Sequence, residues 1–179
     1  MVRTRAARRG PGVVREAARG ALGGAVGTGA MALTARLRRE IHARRRGIAV
    51  SEIGTVLDYD DSEHVVTAAS TVLRAALGWA PRSEAGRRAL FWVVHWGYGS
   101  AMGAVHVGLR RVLGREPAPA LVFFAGSEVL ALSLLPVLGD TPPPWRWRRG
   151  LLVTSVVQHA LYAGVAAAVN TATAGNVAS

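Results

Sequence analysis

The sequence predicts an all-α fold: an integral membrane helical bundle of about four transmembrane helices plus a partly helical interfacial loop. Half of the 179 residues are apolar and only 18% are charged, whereas a soluble domain carries roughly a quarter charged residues. The mean hydropathy is +0.24. The charged residues crowd into a few stretches and leave long uncharged runs between them. This unevenness is typical of a multi-pass membrane protein.

The basic excess consists of arginine alone and gives a net charge of +11. A pI near 11.7 is compatible with nucleic-acid binding when the basic residues share one polar face. Here they bracket apolar runs instead, so the bilayer, with its anionic headgroups, is the predicted partner, and nucleic acid is not. Cysteine is absent, which excludes disulfides and thiolate metal sites. No cofactor and no metal are predicted.

The first span is predicted over residues 20–35, after an arginine-rich head formed by residues 1–19. This run is uncharged but short, because crossing ~30 Å of hydrocarbon takes about 20 helical residues. Gly23 and Gly27 stand four apart, a spacing that lets membrane helices approach closely. A cleaved signal peptide with its small-residue site at 30–32 is the alternative, and it stays open.

Residues 36–88 form the polar loop. Its first part is basic and is predicted to be helical at the membrane surface. A helix is predicted with Asp61 or Ser62 as its N-cap and an end at about Leu77, since acids are favoured in a first helical turn. Pro81 and Gly86 are expected to end the segment. The acids before and within this start are Asp58, Asp60, Asp61 and Glu63.

Three further spans are predicted over residues 89–109, 120–138 and 151–170, with an uncharged tail at 171–179. The run 89–109 contains no Asp, Glu, Lys or Arg. An even number of spans puts both termini on one side of the membrane. The arginine distribution leans towards termini outside, but the long first loop blurs this rule, so the orientation stays open.

Titratable side chains inside the apolar spans are the candidate functional residues. Glu128 lies near the centre of the third span, His159 near the centre of the fourth, and His95 in the second. A charged group inside hydrocarbon costs on the order of 2.5–3.5 kcal/mol, so these side chains are expected to face the bundle interior. We therefore predict that they can meet there.

Helical periodicity indicates which faces point inward. At ~100° per residue, His95 and His106 share a face of the second span with Gly99 and Gly103. Small residues four apart mark a packing face. Tyr162 lies beside His159 in the fourth span and joins the candidate polar cluster. The predicted helix-packing glycines are Gly23, Gly27, Gly99, Gly103 and Gly164.

Three interpretations of the polar cluster are open. Glu128, His95 and His159 could form a site for a proton or a metal ion. They could instead form interhelical hydrogen bonds that only fix the packing, or make no mutual contact. No Walker or H-E-x-x-H pattern is present, and Ser100 lacks the glycines of a nucleophile elbow. We therefore predict no enzyme and no catalytic residue.

Three short motifs carry a family resemblance. They are the segments His95–Gly103 (HWGYGSAMG), Gly27–Met31 (GTGAM) and His159–Gly164 (HALYAG). The chain resembles the YagU-like proteins, small multi-pass membrane proteins of bacteria. The resemblance spans most of residues 20–170 and implies a bacterial plasma (inner) membrane location, but it implies no activity. The first span is shorter, and the loop after it more acidic, than the resemblance leads us to expect.

Two classes of function follow from the predicted architecture. The first is a scaffold or accessory subunit, in a homo- or hetero-oligomer, that uses the glycine faces and residues 36–88 to hold a partner. The alternative is a carrier or channel for a small ion or proton, which needs the polar cluster to line a wet path. Glycine faces that point outward favour the first, and a cavity around Glu128 and the histidines favours the second.

Overall fold

A computed structural model describes residues 10–50 and 61–175 of the chain, and these residues form helices and their connections without any strand. The prediction of an all-α fold is therefore confirmed for them. The helices are α1 Gly10–Arg46, α2 Asp61–Leu77, α3 Glu84–Leu113, α4 Ala118–Leu138, a 3-10 turn at Pro144–Arg146, and α5 Arg149–Gly175. The start of the arginine-rich head, the end of the tail and the side chains of the predicted acidic cluster lie outside the described residues.

α1 is 37 residues long, more than twice the length of the predicted run 20–35. Between that run and Gly47 the sequence contains neither proline nor glycine, and Arg36 pairs with Glu40 one turn later at 2.9 Å. Good helix formers and an i,i+4 ion pair continue the helix. It ends at Arg46, before Gly47, whose φ of +65° is left-handed. The basic segment that we predicted as a separate surface helix is the continuation of α1.

The start of α3 differs from the prediction because of a local hydrogen bond. The Ser83 hydroxyl oxygen accepts a hydrogen bond from the Gly86 N–H at 3.1 Å and caps the helix. Gly86 therefore lies in the first turn of α3, and the prediction that it ends the preceding segment is wrong. The predicted end of α2 at Leu77 agrees with the structure. The bounds of α4 differ from the predicted span by two residues at one end.

The four long helices α1, α3, α4 and α5 alternate in direction. Going along α1, Gly20 faces Gly103 of α3 while Gly29 faces Trp96, so the two helices are antiparallel. Along α4, Phe123 packs on Tyr162 of α5 and the next turns meet earlier residues of α5, which makes that pair antiparallel as well. Both described ends of the chain therefore lie at the same end of the bundle.

A small core of Phe123, Tyr162, Ala163 and Ala166 lies between α4 and α5, with Met31 of α1 packed against it. α1 packs on both α3 and α5, while α4 packs on α3 and α5. The shorter helix α2 packs on α3 and α4 near the far end of α4. There the His64 ring nitrogen Nδ1 lies 3.0 Å from the carbonyl oxygen of Gly139.

Two of the described helices are long and apolar enough to cross a membrane by length and composition, namely Ala118–Leu138 and Arg149–Ala174. They correspond to the predicted third and fourth spans. α1 and α3 contain the predicted first and second spans, but their glycines and polar residues lower the hydropathy. The structure therefore supports two spans by this criterion, where the sequence predicts about four.

Candidate functional site

The polar residues that the sequence places inside the spans form two separate clusters. The first joins Glu128 of α4 to His159 and Ser155 of α5. One carboxylate oxygen, Oε2, lies 2.8 Å from Nδ1 of His159. The other oxygen, Oε1, accepts a hydrogen bond from the Ser155 hydroxyl at 3.0 Å. Ser155 stands four residues before His159, so one turn of α5 presents both groups to the carboxylate.

The arrangement leaves one oxygen of Glu128 without a hydrogen bond. The ring of His159 is turned so that Nδ1 lies 3.0 Å from the backbone carbonyl of Ser155, and the short approach to Oε2 does not have hydrogen-bond geometry. A buried oxygen of this kind is costly to leave unpaired. Oε2 is therefore held beside the imidazole at ion-pair distance, with no hydrogen-bond donor aimed at it.

The second cluster centres on His106, which the structure buries completely. The Asn170 amide nitrogen donates to His106 Nδ1 at 3.0 Å. That contact leaves the ring proton on Nε2, which lies 3.2 Å from Oε1 of Glu116. Arg110 approaches the same oxygen at 3.4 Å, and the other oxygen of Glu116 accepts the backbone N–H of Ala120 at the start of α4. The chain of contacts links α5, α3 and α4.

Two members of this second cluster were missed at the sequence level. Asn170 was only the last residue of a predicted span, and Glu116 only part of a link between spans. A signal was present in each case. Glu116 is the acid that precedes a proline at a helix start, where carboxylates are favoured, and an amide at a span end needs a polar partner if the helix continues, as α5 does.

His95 belongs to neither cluster. Its ring stacks on Phe91 at 5.1 Å and meets Trp92 and Trp96 edge-on at 6.1 Å, all on α3 itself. Within the described residues it forms no hydrogen bond or ion pair. Because His106 is level with Phe123 and the helices are antiparallel, His95 lies about 9 Å along the axis from the level of Glu128. The structure therefore brings Glu128 and His159 together without His95.

Tyr162 serves the packing of three helices. Its hydroxyl donates to the Gly99 carbonyl oxygen of α3 at 2.6 Å, and a Cβ on Gly27 of α1 would lie 2.7 Å from its ring. Phe123 packs on the same ring, 5.6 Å between centroids. The hydroxyl of Tyr162 bonds to α3 and not to the Glu128 pair, so its polar contact differs from the predicted cluster.

The predicted helix-packing glycines divide into two groups. Gly23, Gly27, Gly99 and Gly103 lie at helix contacts where an added Cβ would clash. Gly164 is exposed, and a Cβ there would have no neighbour within 4 Å. Gly164 therefore does not pack on another helix of the described residues, because the buried face of α5 is the one that carries Tyr162 and Asn170, and its role in helix packing stays a prediction.

Two pockets of the described residues lie at helix ends: one is lined by residues of α1, α3 and α5, and the other by Arg74 and the connection between α2 and α3. The Glu128 cluster lines neither of them, and the His106 cluster contributes only Arg110 to the first. In the part of the chain that the structure describes, no group of three or more His, Cys, Asp or Glu side chains could hold a metal ion.

No protein-family model, no curated protein and no solved structure matches the chain.

Proposed function

We propose that this chain is an integral membrane protein whose helices α1, α3, α4 and α5 each cross the bilayer. The observation that carries the proposal is apolar surface left exposed on α4 and α5. The most apolar windows of these helices have mean hydropathies of 2.1 and 1.5, yet only 17% and 22% of their residues are buried in the chain. A core helix of a soluble protein with this composition would be covered by other elements, so lipid is the fitting neighbour.

The lower hydropathy of α1 and α3 is compatible with spanning. Their glycine faces are covered by other helices, so lipid would meet only the opposite faces. Those faces carry Leu22 and Leu33 on α1 and Val93 and Val105 on α3, each half exposed or more. At 1.5 Å per residue, helices of 37 and 30 residues are about 55 and 45 Å long, well beyond ~30 Å of hydrocarbon.

Membrane extraction and topology mapping test the four crossings. After a carbonate wash the chain should stay in the membrane pellet. Reporters fused after residues 50, 115, 145 and 179 should alternate between the two sides, with positions 50 and 145 on one side and 115 and 179 on the other. Recovery in the soluble fraction, or two neighbouring fusion points on one side, would contradict the proposal. A bacterial plasma membrane and kinship with the YagU-like proteins are proposals that rest on the short motifs alone.

The biochemical role that fits this architecture best is that of a scaffold or accessory subunit. The supporting observation is the outward small-residue face of α5, formed by Ala160, Gly164 and Ala168, which are four apart and exposed. Small residues at this spacing let a second transmembrane helix approach closely. The inward glycines of α1 and α3 are already used within the chain, so this face is free for a helix of another protein.

Site-specific photocross-linking in native membranes tests this role. A photoreactive residue at position 168 should form one discrete adduct with another protein, and Gly164→Leu should abolish that adduct. The same residue at exposed position 129 of α4 is the control and should form lipid adducts only. Lipid adducts alone at position 168 would contradict the role. An adduct of twice the mass of the chain would contradict the assignment of this face to another protein, since it would identify a homo-oligomer.

A second candidate function is a proton pathway, and the 2.8 Å approach of Glu128 to His159 favours it. A rotation of the His159 ring that aims Nδ1–H at Oε2 would let the two groups pass a proton between them, provided that one side of the pair reaches water. Neither of the two pockets at the helix ends is lined by these residues, which is why the scaffold role comes first.

Proton flux into reconstituted vesicles separates the two candidates. If the pathway operates, Glu128→Gln and His159→Gln should each abolish flux, while Ser133→Ala, an exposed polar change on the same helix, should leave it unchanged. Equal flux in all four proteins, or none in the wild type, would end the pathway proposal.

A further inference from the structure

A pocket of about 330 Å3 opens where the first turns of α1 meet the C-terminal ends of α3 and α5. Its charged lining consists of Arg19, Arg110, Arg111 and Arg115 together with Glu16. From this juxtaposition of four guanidinium groups and one carboxylate we propose that the pocket binds a phosphate group, as a monoester or a diester. The site is separate from the Glu128 cluster, shares only Arg110 with the His106 cluster, and goes beyond the role as a scaffold.

Two of the four arginines are partly neutralised by acids. Arg111 pairs with Glu16 at 2.7 Å, which ties the end of α3 to α1. Arg110 leans towards Glu116 at 3.4 Å and is largely buried. These pairs occupy some of the N–H donors of two guanidinium groups that line the pocket. Each guanidinium has five N–H donors, so a single carboxylate leaves donors available to a ligand.

The other two arginines, Arg19 and Arg115, have no carboxylate partner within the described residues. The Nε–H of Arg19 is buried and has no acceptor. A charged donor shielded from water without an acceptor is unfavourable, because its hydration is lost and nothing replaces it. A ligand oxygen in the pocket would supply the missing acceptor. An anion bound in the pocket would therefore accept a hydrogen bond from a donor that otherwise has no acceptor.

Phosphate suits this lining better than a carboxylate does. A phosphate presents three or four acceptor oxygens in a tetrahedral arrangement, so guanidinium groups from different helices can each bind it. Arginine forks match such oxygens with paired, charge-assisted hydrogen bonds. The volume lies within the range of small-ligand pockets, roughly 300–1,000 Å3, and leaves room for a substituent on the phosphate.

The phosphate could belong to a lipid headgroup or to a soluble compound. The pocket lies at the end of the bundle where Arg110 and Arg111 follow the apolar run of α3, which in a bilayer is the headgroup level. The lipid source therefore rests on the proposed membrane placement. Binding of free phosphate does not depend on that placement. A failure of the phosphate site can therefore be distinguished from a failure of the proposed membrane placement.

Binding should be measured on the full chain in detergent, with inorganic phosphate as one probe and phosphatidylglycerol as the other. Phosphatidylcholine, which carries no net charge, is the lipid control. Native mass spectrometry counts bound lipid, and calorimetry gives the affinity for phosphate. We expect Arg19→Gln with Arg115→Gln to weaken both interactions at least about tenfold. Arg149→Gln, which removes an exposed charge at the other end of the bundle, should change them less than about twofold.

Glu16→Gln keeps the test decisive if the double variant folds poorly. Removing this carboxylate frees Arg111, so phosphate affinity should rise severalfold, a gain that misfolding does not produce. Phosphatidylglycerol binding that phosphate displaces would identify a lipid headgroup as the source, and phosphate binding alone would identify a soluble compound. Equal binding in the double variant and Arg149→Gln, or no gain in Glu16→Gln, would overturn the proposal.

Discussion

α1 and α3 touch through their backbones, whereas α4 and α5 touch through long side chains. A Cβ built on Gly20 would lie 2.7 Å from the carbonyl oxygen of Gly103. Between α4 and α5 the spacing is instead set by rings and polar groups, with Phe123 on Tyr162 and Glu128 beside His159. The first contact has no tolerance for added volume, while the second can adjust by side-chain rotation.

This difference in helix contacts explains how glycine-rich helices (α1 and α3) and strongly apolar helices (α4 and α5) can belong to the same bundle. In a bilayer, lipid is as apolar as a leucine side chain, so helices associate through close packing and polar contacts more than through hydrophobic burial. α1 and α3 associate by close packing of glycine. α4 and α5 keep large apolar residues on the outside and associate through a few ring and polar contacts.

The glycine contact should give the largest effect when it is broken. Gly24→Leu places a side chain where a Cβ would already lie 2.9 Å from the Gly103 backbone nitrogen. Backbone cannot rotate away, so we expect a loss of at least about 3 kcal/mol in the free energy of unfolding, or failure to fold. Thermal unfolding in detergent measures it. Gly108→Leu on α3, where no neighbour lies within 4 Å, should change stability little, and equal effects would refute the packing argument.

The buried contact between His106 and Asn170 should give an intermediate effect. Replacing either residue by leucine leaves its partner buried and unsatisfied, which costs about 1–3 kcal/mol. Replacing both should cost less than the sum of the single changes, because no orphaned group is then left between α3 and α5. A double-mutant cycle on unfolding free energies measures the difference. Strict additivity would show that the two side chains do not depend on each other.

The Glu128 contact should give the smallest effect on stability. Glu128→Gln keeps an oxygen that can accept from the Ser155 hydroxyl, and single interhelical hydrogen bonds in membranes average around 0.6 kcal/mol. We therefore expect a loss below about 1 kcal/mol by the same unfolding assay. A loss comparable to that of Gly24→Leu would mean that the side-chain contact between α4 and α5 is as rigid as the glycine contact.

The local sequence pattern was sufficient to predict several features of the fold and the positions of some polar residues. Uncharged runs placed α4 and α5 to within a few residues, except at the end of α5, and the spacing of Gly99 and Gly103 indicated the packing face of α3. The length of the uncharged run did not predict the length of α1, because residues with high helical propensity continue the helix into the charged segment. The cap at Ser83 reversed the expected role of Gly86, since a side-chain hydrogen bond outweighed the tendency of glycine to end a helix.

The sequence by itself determined the helical class, the uncharged runs and the presence of titratable groups inside them, because these depend only on composition and on periodicity along one helix. Tertiary structure decided which of those groups meet. The antiparallel offset of the helices separates His95 from Glu128 by about 9 Å along the axis, and it brings Asn170 and Glu116 to His106. It also turned Gly164 outward, because the face of α5 that is buried depends on where α1 and α4 lie.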